Sequence, residues 1–256
     1  MIASSEIDTS NATRRRRGQL ARDLVVILVV AILASALIKT YVVRSFYIPS
    51  ASMENTLHVN DRILVNELVP KLTSVHRGDV VVFKDPGGWL PPVGPARPGL
   101  LASVVDAAFS FVGLSAQDSS QYLVKRVIGV AGDHVRCCNA LGQLSVNGMP
   151  LKEPYAVVPP GGANAATRSF DVIVPVGSLW VMGDNRYNSR DSSLNQELPG
   201  KGFVPVTDVV GTAMAVIWPT SRWAWVDSYP ATFAGLTNSA LPQDPQLPRN
   251  RDRGRA

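Results

Sequence analysis

The sequence predicts an all-β fold of twisted antiparallel sheets that lies outside the cytoplasm and is preceded by one N-terminal transmembrane helix. Three observations lead to this prediction. An apolar run of bilayer length lies near the N-terminus, directly behind a block of arginines. Short Val- and Ile-rich runs, separated by Gly, Pro, Asn and Asp, follow from residue 60 onward. The length of 256 residues, with 46% hydrophobic and 18% charged side chains, is enough to bury a sizeable core.

The N-terminal part is predicted to be a tail and an anchor. Residues 1–23 are polar, contain the basic block Arg14 to Arg17 and are predicted to form a disordered cytoplasmic tail. Residues 24–43 are apolar or small apart from Lys39 and reach the ~20 residues that a bilayer requires. The arginines keep the N-terminus inside, so we expect a single-pass protein of the cell membrane with an extracytoplasmic body. A cleavable signal peptide is the alternative, because Ala34 to Ala36 offers small residues.

The net charge of +5 is confined to the two ends of the chain. Residues 1–23 hold five arginines against three acids, and residues 249–256 hold four arginines against one acid, which accounts for the whole excess. The body is therefore neutral, which argues against a nucleic-acid partner.

The body, residues 44–226, is predicted to consist of short strands. Asn147-Gly148 predicts a tight turn, because both residues accept positive φ at little cost. An insertion at 85–121 includes an apolar, helical patch, which is either a buried packing element or a surface on the bilayer. Residues 227–256 are predicted to be a disordered tail. The predicted strands are 62–65, 79–83, 122–130, 134–136, 143–146, 171–174, 178–181 and 209–217.

The two cysteines, Cys137 and Cys138, are adjacent, which excludes the spacing of a redox or zinc motif. They are either free thiols or a vicinal disulfide. The sequence contains no H-E-x-x-H motif, Walker loop or glycine fingerprint, so we predict no cofactor and no metal.

Ser50 and Ser52 are the candidate chemical groups. They follow Pro49, which favours a rigid extended or turn segment that can present a hydroxyl and backbone N–H groups in fixed directions. In extended geometry, residues two apart point to the same face, so Ser50 could assist Ser52. The alternative is that Ser50 only hydrogen-bonds the turn.

Lys125 is the candidate base, since none of the three histidines lies in a recognisable triad setting. If it is buried in its strand, desolvation lowers its pKa and a neutral amine becomes available near neutral pH. The alternative is that its stem reaches the rim and leaves the ammonium in water. The polar run 182–192 suits either a hydrogen-bonded platform for a buried base or a solvated turn.

Together these segments resemble the bacterial type I signal peptidases, which are membrane-bound serine–lysine endopeptidases. The resemblance covers the chain from the anchor to about Pro219. It is carried by four blocks in the family's order: Ile48-Pro49-Ser50-Ala51-Ser52-Met53 with Thr56-Leu57; Gly78-Asp79-Val80-Val81-Val82-Phe83; Lys125-Arg126-Val127-Ile128-Gly129 with Gly132-Asp133; and Gly183-Asp184-Asn185-Arg186 with Asn188-Ser189 and Asp191-Ser192.

The resemblance implies a role for each matching residue. Ser52 would be the nucleophile and Lys125 the general base. Ser50 and the Ser52 backbone N–H would form the oxyanion hole, and Ser189 would orient Lys125. Supporting roles are implied for four further residues: Arg126, Asp184, Asn188 and Asp191.

The expected function is removal of N-terminal signal peptides from exported preproteins, after small residues, by a membrane-anchored and monomeric enzyme. Its partners would be those preproteins and the lipid bilayer. Two alternatives within this chemistry are a pilin-maturing and a self-cleaving serine–lysine protease. From other classes, a catalytically silent β-domain that binds exported peptides would not need Ser52, Lys125 and Ser189 together, and a basic nucleic-acid binder is disfavoured by the charge distribution.

Overall fold

The computed structural model describes residues 22–31, 42–90, 121–162 and 164–236. The chain divides between Val43 and Arg44 into two compact units. In the first unit, residues 22–31 are helical. Within the described ranges, no helix combines the length and apolarity needed to cross a membrane. Much of the predicted anchor, most of the insertion, most of the N-terminal tail and the last twenty residues, about 237–256, lie outside the described residues.

The second unit is built from β-strands, and every strand pair whose register is described is antiparallel. A larger sheet has the order β1-β2-β11-β3-β4-β9-β10, with β12 beside β11, and a smaller sheet has the order β7-β6-β5-β8. The all-β, antiparallel prediction is thus confirmed for the described body. The strands are β1 Val43–Tyr47, β2 Arg62–Asn66, β3 Val80–Lys84, β4 Tyr122–Gly129, β5 His134–Cys137, β6 Leu144–Val146, β7 Met149–Pro150, β8 Phe170–Ile173, β9 Ser178–Met182, β10 Val204–Pro205, β11 Val209–Trp218 and β12 Ala224–Trp225.

The predicted strands match observed ones to within one or two residues, because each carries a Val- or Ile-rich run. Asn147 and Gly148 both have positive φ and connect β6 to β7, as predicted. Strands β1, β7, β10 and β12 were not predicted. Strands β7, β10 and β12 have only two residues and show no alternation, and β1 begins at the last residue of the predicted anchor.

Strand β3 explains how the larger sheet is buried on both faces. Val80 and Val82 belong to an apolar cluster with Phe46, whereas Val81 and Phe83 belong to another cluster on the opposite face. Neighbouring β4 is therefore sheltered along most of its length, and its last five residues are all buried. A side chain on β4 that carries charge must find its partners inside the protein.

Two predictions are corrected by the fold. Residues 227–236 are packed on the body rather than disordered, because Phe233 is buried in the core beside the smaller sheet. The extended geometry considered for Ser50 and Ser52 holds for Ser50 alone, because Ala51–Met53 forms a 3-10 helix, which corresponds to the turn alternative. The alternatives for the cysteines are also resolved, since Cys137 and Cys138 are joined by a disulfide.

Candidate active site

Backbone hydrogen bonds fix the 3-10 helix that carries Ser52. The Glu54 N–H donates to the Ala51 carbonyl, and the Leu57 N–H donates to the Met53 carbonyl at 2.8 Å. The Ser52 carbonyl accepts a hydrogen bond from the Asn185 N–H at 3.1 Å. The nucleophile candidate is thereby fixed to the loop after β9, and its side chain is almost buried.

Lys125 lies in β4 between β3 and β9, and its Nζ is 2.6 Å from Ser52 Oγ. The side chain is only 3% exposed, so the alternative in which the ammonium reaches the rim does not apply. Burial lowers the pKa of the Lys125 ammonium from 10.5 to about 8, against the Asp191 and Asp184 carboxylates, which raise it. A substantial neutral fraction can therefore accept a proton near neutral pH.

Ser50 lies next to the nucleophile, with its Oγ 3.4 Å from Ser52 Oγ. Ser52 is in the first turn of the 3-10 helix, where a backbone N–H has no partner within the helix. The Ser50 hydroxyl and the Ser52 N–H therefore both lie near Ser52 Oγ, and their role as oxyanion donors stays a prediction.

Ser189 lies close to Ser52 because the residue between them is Gly183. A Cβ added at Gly183 would lie 2.3 Å from Ser189 Oγ and 2.5 Å from the Ser52 carbonyl oxygen, so any side chain there would separate the two serines. The Ser189 hydroxyl donates to Asp191 Oδ2 at 2.8 Å, whereas the hydrogen bond of Lys125 goes to Ser52. The predicted orienting role of Ser189 toward Lys125 therefore stays a prediction.

Asp191 organises the loop that contains Ser189. Its carboxylate also accepts hydrogen bonds from the Gly183 N–H at 3.0 Å and from the Ser193 hydroxyl at 2.7 Å. These hydrogen bonds hold the loop after β9 in one conformation. Asn188, in contrast, has an exposed side chain, and only its backbone N–H takes part, in a turn bond to Asn185.

Arg126 and Asp184 form the second buried anchor of the site. Arg126 Nε and Nη2 donate to the two carboxylate oxygens at 2.9 and 2.8 Å. Thr56 joins both partners, because its hydroxyl donates to Asp184 and accepts from Arg126. Arg126 follows Lys125 directly, and Thr56 follows Ser52 by four residues. The Arg126–Asp184 pair therefore connects the strand that carries Lys125 to the segment that carries Ser52.

Sequence reasoning assigned no role to several residues of this network. Arg186 is fully buried and makes a bidentate ion pair with Glu153, at 2.6 and 2.9 Å. Glu153 also accepts from the Tyr155 hydroxyl, and the Tyr155 ring covers the Arg126 guanidinium at 4.2 Å. The only sequence signal was the Gly183-Asp184-Asn185-Arg186 block, which named Arg186 without its partner.

A cleft of about 140 Å³ opens beside Ser52 and Lys125. Residues 46–50 and residues 122–125 line it, together with Ser52, Met53 and Leu90. Strand β4 pairs with β3 over Tyr122 to Arg126, whereas its described pairing with β9 begins only at Arg126. The backbone of residues 122–125 therefore borders the cleft without a β9 partner in the described register, which leaves room for an extended peptide.

Comparison with known proteins gives one consistent result. Residues 21–218 match the family model of signal peptidases, peptidase S26. The chain is 40% identical to a probable signal peptidase I of Mycobacterium leprae over 80% of this chain and 79% of that protein. It is 39% identical to the signal peptidase I of Mycobacterium tuberculosis over 88% and 83% of the two chains.

The similarity extends to more distant relatives. A probable signal peptidase I-2 of a Synechocystis strain is 34% identical over 76% of this chain and 72% of that protein. A crystal structure of a signal peptidase I from Enterococcus faecalis is 23% identical, covers 55% of this chain and 97% of its own, and aligns with a TM-score of 0.35. That score is too low for a comparison residue by residue.

Proposed function

The chain belongs to the signal peptidase family, peptidase S26, and from this premise we propose that it is a membrane-anchored endopeptidase that cleaves signal peptides from exported preproteins. One observation carries the proposed mechanism: the 2.6 Å hydrogen bond between Lys125 Nζ and Ser52 Oγ, made by a lysine that is almost completely buried. A buried amine beside a hydroxyl is the arrangement that general-base activation of serine requires.

In the first step, neutral Lys125 accepts the Ser52 hydroxyl proton while Ser52 Oγ attacks the carbonyl carbon of the scissile bond. The Ser50 hydroxyl and the Ser52 N–H donate to the oxyanion that forms. The intermediate collapses, the C–N bond breaks, and the Lys125 ammonium gives its proton to the leaving amine. Water then attacks the acyl-Ser52 ester with Lys125 again as the base, and Ser52 recovers its proton.

The lowered pKa of Lys125 determines how much neutral amine can accept the Ser52 proton. With a pKa of about 8, roughly one lysine in ten is neutral at pH 7; with the ordinary 10.5, roughly one in three thousand would be. Burial therefore raises the neutral fraction of Lys125 at pH 7 more than a hundredfold.

The cleft supports a preference for small side chains before the cut. An extended preprotein can add as a strand beside residues 122–125, where main-chain hydrogen bonds give affinity. The narrow, largely apolar walls between residues 46–50 and 122–125 would exclude large side chains by steric overlap.

The anchor is proposed from the sequence of residues 24–43 and the arginines before it. Holding enzyme and precursor on one membrane raises their effective concentration without any new contact. Protease added to spheroplasts is expected to digest residues after Val43 and to spare the N-terminal tail; protection of the body would contradict this topology.

Cleavage of a synthetic precursor in detergent tests the mechanism. Ser52→Ala and Lys125→Ala are expected to abolish cleavage while each variant keeps the wild-type melting temperature within a few degrees. Lys84→Ala is the matched control, because Lys84 is exposed at the end of β3, and it should cleave at the wild-type rate. Cleavage by folded Lys125→Ala would move the base to another residue.

A further inference from the structure

Residues 227–236, here called the C-terminal segment, pass behind the active site. They lie beyond the residues that the family model matches and beyond the four motif blocks. The Asp227 carbonyl accepts a hydrogen bond from Arg126 Nη1 at 2.8 Å, and the Gly78 carbonyl accepts one from the same nitrogen at 2.7 Å. The C-terminal segment therefore contributes directly to the surroundings of the buried Arg126–Asp184 pair.

Tyr229 adds a second contact to the same guanidinium. Its ring centroid is 5.2 Å from the Arg126 guanidinium carbon, and the Tyr155 centroid is 4.2 Å from it. The two tyrosine rings are 5.0 Å apart, so they lie side by side on one side of the guanidinium. Aromatic faces attract a guanidinium and limit its movement, most strongly where water is excluded.

The backbone of Tyr229 adopts a conformation that tyrosine rarely accepts. Its φ and ψ are 50° and 59°, in the left-handed region. The Tyr229 N–H donates to Asp227 Oδ1 at 2.7 Å, and Gly78 makes room, because a Cβ there would lie 1.9 Å from the Ser228 carbonyl oxygen. A strained residue persists only where its surroundings hold it, which is a common property of functional sites.

The far end of the C-terminal segment is attached separately. Phe233 is buried beside the smaller sheet, and the Thr232 hydroxyl donates to the Lys152 carbonyl at 2.9 Å. These anchors keep the C-terminal segment on the body without touching Arg126. The contact at Tyr229 can therefore be tested apart from the attachment of the C-terminal segment.

We propose that Tyr229 is a positioning residue for cleavage: its ring and the Asp227 carbonyl hold Arg126 in the orientation that fixes Thr56 and Asp184, and thereby the distance between Ser52 and Lys125. The connection is short. Arg126 Nη2 donates to Thr56 Oγ1 at 3.2 Å and to Asp184 at 2.8 Å, and Arg126 is the neighbour of Lys125 on β4. The inference rests on the proposed Ser52–Lys125 pair.

A looser Arg126 has an electrostatic consequence for Lys125. The charged groups that act on Lys125 are the Asp191 and Asp184 carboxylates, which raise its pKa, and Arg126 neutralises Asp184 by pairing with it. If Arg126 moves away, Asp184 stabilises the Lys125 ammonium more, and the pKa of Lys125 rises. The acid limb of the pH profile then shifts to higher pH, an effect that simple loss of packing would not produce.

The experiment compares variants of the full chain on the synthetic precursor in detergent. Tyr229→Asn removes the ring but tolerates the left-handed backbone, whereas Tyr229→Phe keeps the ring. We expect Tyr229→Asn to lower kcat about tenfold with little change in KM, since a small misplacement of reacting groups is costly, and to raise the pH of the acid limb. Tyr229→Phe should recover most of the wild-type kcat and of the wild-type acid limb.

Thr232→Val is the control, because it weakens the attachment of the C-terminal segment without touching Arg126, and it should keep the wild-type kcat and acid limb. Wild-type kcat and pH profile in Tyr229→Asn would overturn the inference. An equal loss in Thr232→Val, or a loss that only follows the folded fraction, would do so too. Lys125→Ala in the same series separates the two proposals: if it cleaves, the dyad itself is wrong, whereas if it is inactive and Tyr229→Asn is normal, only the role of Tyr229 is wrong.

Discussion

Arg126 and Asp184 form a bidentate ion pair in which both side chains are completely buried. The pair joins β4 to the loop after β9, and its position beside Lys125 makes it part of the architecture of the site. Replacing both partners of such a pair by apolar residues changes the stability of the protein little. Removing one partner alone leaves a buried charge uncompensated.

Asp184→Asn should therefore destabilise the protein strongly. We expect a loss of about 3–5 kcal/mol in the free energy of unfolding, because Arg126 keeps its charge and loses its counterion. Unfolding of the detergent-solubilised protein, followed by circular dichroism, measures this. Asp171→Asn is the matched control, since Asp171 pairs with His134 and Arg136 on the surface and its loss should have little effect. Similar unfolding of Asp184→Asn and the wild type would show that the pair does not stabilise the fold.

A second prediction concerns pH. Lys125 must be neutral to accept a proton, and burial lowers its pKa to about 8, so kcat/KM should rise with pH and level off above about 8. Below that value, each unit of pH should cost about tenfold in kcat/KM, because the neutral fraction falls by that factor. Steady-state kinetics on a precursor without titratable residues near the cut provides the profile. If the rise in kcat/KM were centred near pH 6.5 and disappeared on substitution of a histidine, that histidine would be the base instead.

Much of the fold was predictable because its strands carry local patterns. The Val-rich run of β3 and the Asn147-Gly148 turn are specified by neighbouring residues, so the sequence indicates them directly. The two-residue strands β7, β10 and β12 are too short to show an alternating pattern of their own. The C-terminal segment likewise has no alternating pattern, and its contacts with Arg126, with Lys152 and with the core hold it in place.

The site was predictable to the extent that motif blocks named its members. Ser52 and Lys125 were paired by resemblance, and the structure places them in contact although they are 73 residues apart in sequence. The contacts of Arg186 with Glu153 and of Arg126 with Tyr229 could not be inferred in this way, because Glu153 and Tyr229 belong to no block. Pairings between distant segments follow from the topology of the sheets rather than from any local spacing.

The last prediction separates a catalytic from a structural role for Ser50. Its Oγ lies 3.4 Å from Ser52 Oγ, on a residue whose extended backbone precedes the 3-10 helix. If it donates to the developing oxyanion, Ser50→Ala should lower kcat by about 10²–10³ with little change in KM, because the lost hydrogen bond forms mainly in the transition state. Ser50→Thr keeps the hydroxyl and should recover much of the rate, whereas Ser52→Ala should bind the precursor without turnover. Kinetics on the synthetic precursor, together with melting temperatures, measures both effects. A wild-type rate for Ser50→Ala, or a loss that merely follows the folded fraction, would leave the oxyanion to the Ser52 backbone N–H alone.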